Sequence, residues 1–248
     1  MDMTVLKRTL FGSALAAGLM IGFDAAAAER AAPAHFHSVR LNVTNIETTV
    51  AYYKKFFGAT EVTYRNRSKG LFTERSFLLM DLVEKAPPSN DGTSLWHIGW
   101  SGVDGKSEFE WRTAEGINVQ NPLERPVLPG LDNKAEVMYF WGPDREVVEI
   151  STVNRNHRFE HVHLLATDIN ATTEWFENYL GLKPVHERAV DFFGVRLNIV
   201  KVDNVDIVIF ARPTPDKDNQ FAARELWPDR GVSARPRAAS STTSRSRT

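Results

Sequence analysis

The sequence predicts an α+β protein built from tandem modules, each a strand, a helix and three further strands. Two observations carry this. The segment from His37 to Ile46 recurs from Glu160 to Ile169, at an offset of 123 that also relates Gly58 to Gly181. In both copies a period-two apolar pattern gives way to a helical one, and a weaker version lies between them. Self-similarity at fixed spacing speaks to architecture before chemistry.

The first module opens with a strand over 35–43. Val39, Leu41 and Val43 face one way, and Ser38, Arg40 and Asn42 the other. His35 and His37 then point to the helix side, unless a bulge turns His37 over. A helix follows from Asn45, an N-cap residue type. Its stripe is Ile46, Val50, Tyr53 and Phe57, and Gly58 ends it. Strands are expected over 60–64 and 76–83, with Pro87-Pro88 and Asn90-Asp91-Gly92 as loops.

The second module starts with a strand from Leu95 that places His97, Gly99 and Ser101 on one face. Trp96, Ile98 and Trp100, on the other face, read as core, as do Trp141 and Trp175. A modest helix over 106–115 ends at Gly116. A strand over 136–141, the turn Gly142-Pro143-Asp144 and a strand over 146–152 complete the module. The third module begins at Phe159, with a helix over 168–180 and strands near 195–202 and 205–210.

The ends differ from this body. Lys7 and Arg8, an apolar run over 10–23 and Ala25-Ala26-Ala27-Ala28 have the order of a secretory signal peptide over 1–28. The run contains three glycines and falls short of the roughly 20 residues a spanning helix needs. A polar linker over 29–34 follows. The expected location is therefore periplasmic or secreted, with no membrane partner after cleavage. Residues 213–248 turn to Arg, Ser, Ala and Thr, with little to bury, and read as a disordered tail. The abrupt switch at Gly231 points to a truncated or frame-shifted end.

Composition narrows the chemistry. The 248 residues include no cysteine, so any metal is held by His, Asp or Glu. A net charge of −1 gives no electrostatic case for nucleic acid. The face of Glu149 is opposite Val148 and Ile150, so this carboxylate meets water, a metal or a partner.

The units 37–58, 97–116 and 161–181, with Trp141-Gly142-Pro143-Asp144-Arg145-Glu146-Val147-Val148-Glu149-Ile150, resemble the vicinal oxygen chelate superfamily. Its members include glyoxalase I, extradiol dioxygenases and bleomycin or fosfomycin resistance proteins. The resemblance covers residues 35 to about 212. It implies glyoxalase-like βαβββ modules whose mixed sheets form a cup around a divalent metal. Ligands then come from the first and last strand of each module. The implied organisation is one complete domain over 35–153, a third unpaired module over 156–212, and an open sheet edge that a second chain, in a homodimer, would cover.

Carried over residue by residue, the resemblance implies metal ligands at His97, Glu149, Asp81 and His161, with Glu149 doubling as catalytic base. Ser38 stands where a ligand is expected and is a poor one. Ser38, Arg40, Tyr139 and His163 are the implied pocket residues. The implied cofactor is a divalent metal (Fe, Mn, Zn or Ni), and the implied partner a small oxygenated molecule. Two functions stay open: a metal-dependent lyase, isomerase or dioxygenase, and a metal-free small-molecule-binding protein like the bleomycin resistance proteins. A remnant without function is a third.

Overall fold

In the computed structural model the description covers residues 34–86, 88–89, 93–120, 135–192 and 195–212. The expected signal peptide, nearly all of the linker, the Asn90-Asp91-Gly92 turn and the tail lie outside the described residues. Among the described residues no helix is long and apolar enough to cross a membrane.

The first module contains β1 (Ser38–Val43), α1 (Ile46–Phe57), β2 (Thr60–Tyr64), β3 (Ser68–Thr73) and β4 (Ser76–Leu82). Its four strands form a sheet of their own in the order β1-β4-β3-β2, with β1 parallel to β4. The α1 helix starts where its cap demands: the Asn45 side chain accepts a hydrogen bond from the Thr48 N–H at 3.0 Å. Gly58 ends it at φ +64°, a left-handed conformation that suits a residue without Cβ. Val50, Tyr53, Phe56 and Phe57 are buried along one face of α1. Each stabilises the fold by about 1.5–3 kcal/mol relative to exposure.

The second module contains β5 (Leu95–Ser101), α2 (Gly105–Ala114), β6 (Asn118–Val119), β7 (Val137–Trp141) and β8 (Val147–Ser151). The third contains β9 (Phe159–Ala166), α3 (Ile169–Leu180), β10 (Val190–Phe192), β11 (Val195–Val202) and β12 (Val205–Ala211). These two modules share one eight-stranded sheet, ordered β10-β11-β12-β9-β5-β8-β7-β6. Read from its middle outward, each half repeats the same order of first, fourth, third and second strand.

This corrects the expected organisation. Modules one and two do not share a sheet, and the third module is not unpaired: β9 joins β5 in antiparallel register. The physical reason lies in the first strands. Every residue of β5 and β9 except Leu95 and Leu164 is buried, as mid-sheet strands require. In contrast, β1 sends Arg40 and Asn42 into solvent, as an edge strand does.

The helix-bearing faces of both sheets meet in one core. Tyr53 and Phe57 of α1 lie against Trp100 of β5, at ring separations of 5.6 and 4.8 Å. Polar ties reinforce the seam. The turn before β8 accepts three hydrogen bonds from the first module: Asp144 from the N–H and hydroxyl of Thr44, and Glu146 from the hydroxyl of Tyr53 at 2.9 Å.

Candidate metal centre

The other face of the eight-stranded sheet is the cup. Strand alternation sends His97 of β5, Glu149 of β8 and His161 and His163 of β9 to it. The register brings them together: His97 is opposite His163, Gly99 is opposite both His161 and Glu149. A Cβ on Gly99 would overlap the ring of His161, so this glycine makes the space the imidazole fills. Ligand atoms of His97, His161 and His163 all lie within 4.8 Å of one another. Oε2 of Glu149 is 3.0 Å from Nε2 of His97, and Oε1 is 3.5 Å from Nε2 of His161.

All four groups are buried. Both ring nitrogens of His97, Nε2 of His161 and Nδ1 of His163 have no hydrogen-bond partner. Buried imidazole nitrogens left unpaired are costly. A divalent cation would satisfy them together, and two imidazoles with a carboxylate suit iron, manganese or zinc. The residues present therefore fit a metal.

Burial and neighbouring charges set the three histidines apart. Burial, and then the nearby His161, hold His97 well below the usual histidine value. Burial does the same to His163, helped by His97 and His161. Burial also acts to lower His161, but Glu149, Glu160 and Asp206 together outweigh it and leave His161 raised. Burial and the adjacent Glu149 push the Tyr139 phenol well above its ordinary value, so it remains a donor.

Apolar walls surround these groups: Val137, Tyr139, Val147, Leu165, Leu197 and Phe210, together with Trp96. Trp96 departs from the expected alternation. The β5–β9 register slips between Leu95 and His97, so Trp96 is an extra, bulged residue that turns to the cup. Its ring lies 4.2 Å from that of His97 and 5.4 Å from that of His163. A second slip makes Glu160 the bulged residue of β9, beside His161. Nothing in the alternation pattern marks either bulge.

Of the eight residues singled out from the sequence, five meet here: His97, Glu149, His161, His163 and Tyr139. The other three do not. Ser38, Arg40 and Asp81 lie on the separate four-stranded sheet, and Asp81 is bound by the Arg40 guanidinium through Nε and Nη2. That ion pair keeps Asp81 below the ordinary carboxylate range. Asp81 is also two residues out of step. Gly99 pairs with Glu149, whereas Arg40, its equivalent at an offset of 59, pairs with Leu79. The first module thus has Ser38 and Leu79 at the places of His97 and Glu149. In the third module His163, the equivalent of Gly99, pairs with Val208. So Val208 stands where a second carboxylate would, and His163 adds an imidazole instead. His37 also corrects an expectation: its ring lies against Tyr64 and Phe77, on the Ser38 face.

No protein-family model and no curated protein matches the chain. Solved structures do. Glyoxalase I from Zea mays aligns with a TM-score of 0.56 at 14% identity, covering 71% of this chain and 66% of that one. A point mutant of the Zea mays enzyme gives 0.56, 14%, 73% and 70%. The genomically encoded fosfomycin resistance protein FosX from Listeria monocytogenes aligns over 48% of this chain and 91% of its own at 19% identity, with a TM-score of 0.38. The fold is that of glyoxalase I, with a buried histidine cluster on the cup face of the sheet.

Proposed function

We propose that this chain is a divalent-metal-dependent enzyme acting on a small oxygenated molecule, with His97, His161 and Glu149 as protein ligands. The observation that carries the reading is the convergence of two imidazoles and one carboxylate from β5, β9 and β8 around unpaired buried nitrogens. Of the three reaction types open from the sequence, dioxygenase chemistry is favoured. Two histidines and one carboxylate leave coordination positions free, and Val208 removes the second carboxylate an isomerase base would use. A metal bound there supplies Lewis acidity and, as iron, dioxygen activation.

The chain's own groups would do the rest. The neutral imidazole of His163 is placed to take a proton from a bound hydroxyl. The protonated Tyr139 hydrogen-bonds Glu149 and would orient that carboxylate. Trp96, Leu197 and Phe210 exclude water. Export is part of the proposal, on the strength of the amino-terminal sequence alone.

Metal analysis of the purified protein tests this, with His97→Ala and Glu149→Ala alongside. Near-stoichiometric metal in the parent, lost from both variants while circular dichroism is unchanged, is the expected result. A parent that binds none of iron, manganese, zinc or nickel in equilibrium dialysis would leave the metal-free binding protein as the better account.

A further inference from the structure

In both central strands of the eight-stranded sheet, the residue just before a histidine of the cluster is the inserted one. On β5 it is Trp96, before His97; on β9 it is Glu160, before His161. An inserted residue lets two neighbours in sequence share a face. Trp96 uses this to wall the cup. Glu160 uses it differently. Strict alternation from His161 would send Glu160 into the core on the helix side and Phe159 into the cup. Instead Phe159 packs in that core, 5.0 Å from the ring of Trp100, and Glu160 is left beside His161.

The surroundings of Glu160 give its carboxylate one partner. Glu160 is buried, and among the described residues it forms an ion pair with His161 alone. Its Oε1 lies 3.7 Å from Nδ1 of that ring, and its Oε2 has no hydrogen-bond partner. A carboxylate buried without a lysine or arginine is costly to keep. The other nitrogen of His161, Nε2, lies 3.5 Å from Glu149 and is also unpaired. The ring thus stands between two carboxylates, one at each nitrogen, with Gly99 against its face. Asp206 is opposite His161 in register, but its carboxylate is already held by the Lys201 ammonium at 3.0 and 3.2 Å.

We infer that Glu160 is the positioning residue of His161: it accepts the Nδ1–H of that imidazole and so presents Nε2, free of its proton, to a metal. This rests on the metal-binding reading above. A carboxylate on the far nitrogen of a metal-bound imidazole fixes its tautomer and orientation and makes it a stronger ligand. The device is one-sided. His97 has the Trp96 ring at 4.2 Å where His161 has a carboxylate, and both of its ring nitrogens are unpaired. His161 is therefore the anchored imidazole of the two.

Zinc affinity of the full chain, measured by competition with a chromophoric chelator, tests this together with NMR of the zinc-loaded protein carrying ¹⁵N-labelled histidine. Glu160→Ala is expected to weaken zinc binding by about 10–100-fold, the usual cost of losing such a partner. The parent should show the Nδ1–H of His161 as a downfield, slowly exchanging signal that Glu160→Ala lacks. Asp206→Asn removes an equal charge from the neighbouring strand and should leave both readouts at parental values. If Glu160→Ala binds zinc as tightly as the parent, or keeps the signal, the inference is overturned while the metal reading stands. A loss in Asp206→Asn as large as in Glu160→Ala also overturns it, because charge alone would then account for the effect. A parent that binds no zinc overturns it too, and dialysis with iron, manganese and nickel then decides the metal reading by itself. If Glu160→Ala does not fold, the isosteric Glu160→Gln decides: its amide oxygen is the weaker acceptor, so the signal should move upfield and the affinity fall.

Discussion

Gly99 and His161 face each other across β5 and β9, and the missing side chain of the one is the space occupied by the ring of the other. The glycine has ordinary extended backbone, so its role is steric. It sets how close the second imidazole comes to Glu149, 3.5 Å away.

Gly99→Ala is therefore expected to act as overpacking. It should displace His161, lower stability by about 1–3 kcal/mol and weaken metal binding. Chemical denaturation and metal titration of the same variant check both effects. An alanine variant with parental metal affinity would show that His161 is not held by this contact.

Glu149 is the leading group raising His161 against the effect of burial. In metal-free protein, Glu149→Gln should lower the His161 pKa. The histidine ring signals in NMR report this directly as pH is varied. An unchanged titration would place the charge of Glu149 elsewhere.

The Glu108–Arg112 pair on α2 is buried, and Arg112 also donates to the Phe56 carbonyl of α1 at 3.0 Å. Removing one partner with Glu108→Ala leaves a buried cation and should destabilise by on the order of 3 kcal/mol. Burial acts to raise Glu108, but Arg112, the Val103 N–H and His157 together outweigh it and leave its pKa below the ordinary 4.5. A depressed carboxylate stabilises above its unfolded value and loses that contribution as pH falls through its folded one. Stability of the parent should thus decline below about pH 4.5, and Glu108→Gln should flatten that decline. Urea midpoints across pH 3 to 7, roughly the window set by that linkage, test it.

Tyr53→Phe leaves Glu146 without the donor that ties α1 to the turn before β8. Glu146 is buried and already raised, burial being the main cause. Loss of a hydrogen bond to such a carboxylate should lower stability by about 1.5–3 kcal/mol. Thermal unfolding measures it, and a neutral substitution would mean that water replaces the phenol.

Most elements were legible because their signals are local, although β3, β6 and β10 were not among the expected strands. Asn45, Asp104 and Asp168 cap their helices as their residue types demand, and alternation put His97 and Glu149 on one face. The assembly was less legible because it depends on which edges meet. Nothing within β1, β5 or β9 alone says that β9 closes on β5. Only a comparison of both faces shows that β1 is the more polar strand. That misplacement hid the site: His161 seemed stranded in a half-built domain, and Asp81 filled a place that register gives to Leu79. The bulges at Trp96 and Glu160 were invisible for a similar reason, since a period-two pattern has no symbol for an inserted residue.

The two halves of the eight-stranded sheet repeat one strand order but not one set of side chains. Glu149 on β8 and Val208 on β12 occupy mirrored places, one an anion and the other an isopropyl group. A guest whose two ends look alike would still find the two sides of this cup different. Its ends would be told apart on entry by the strands alone, whatever the cup holds between them.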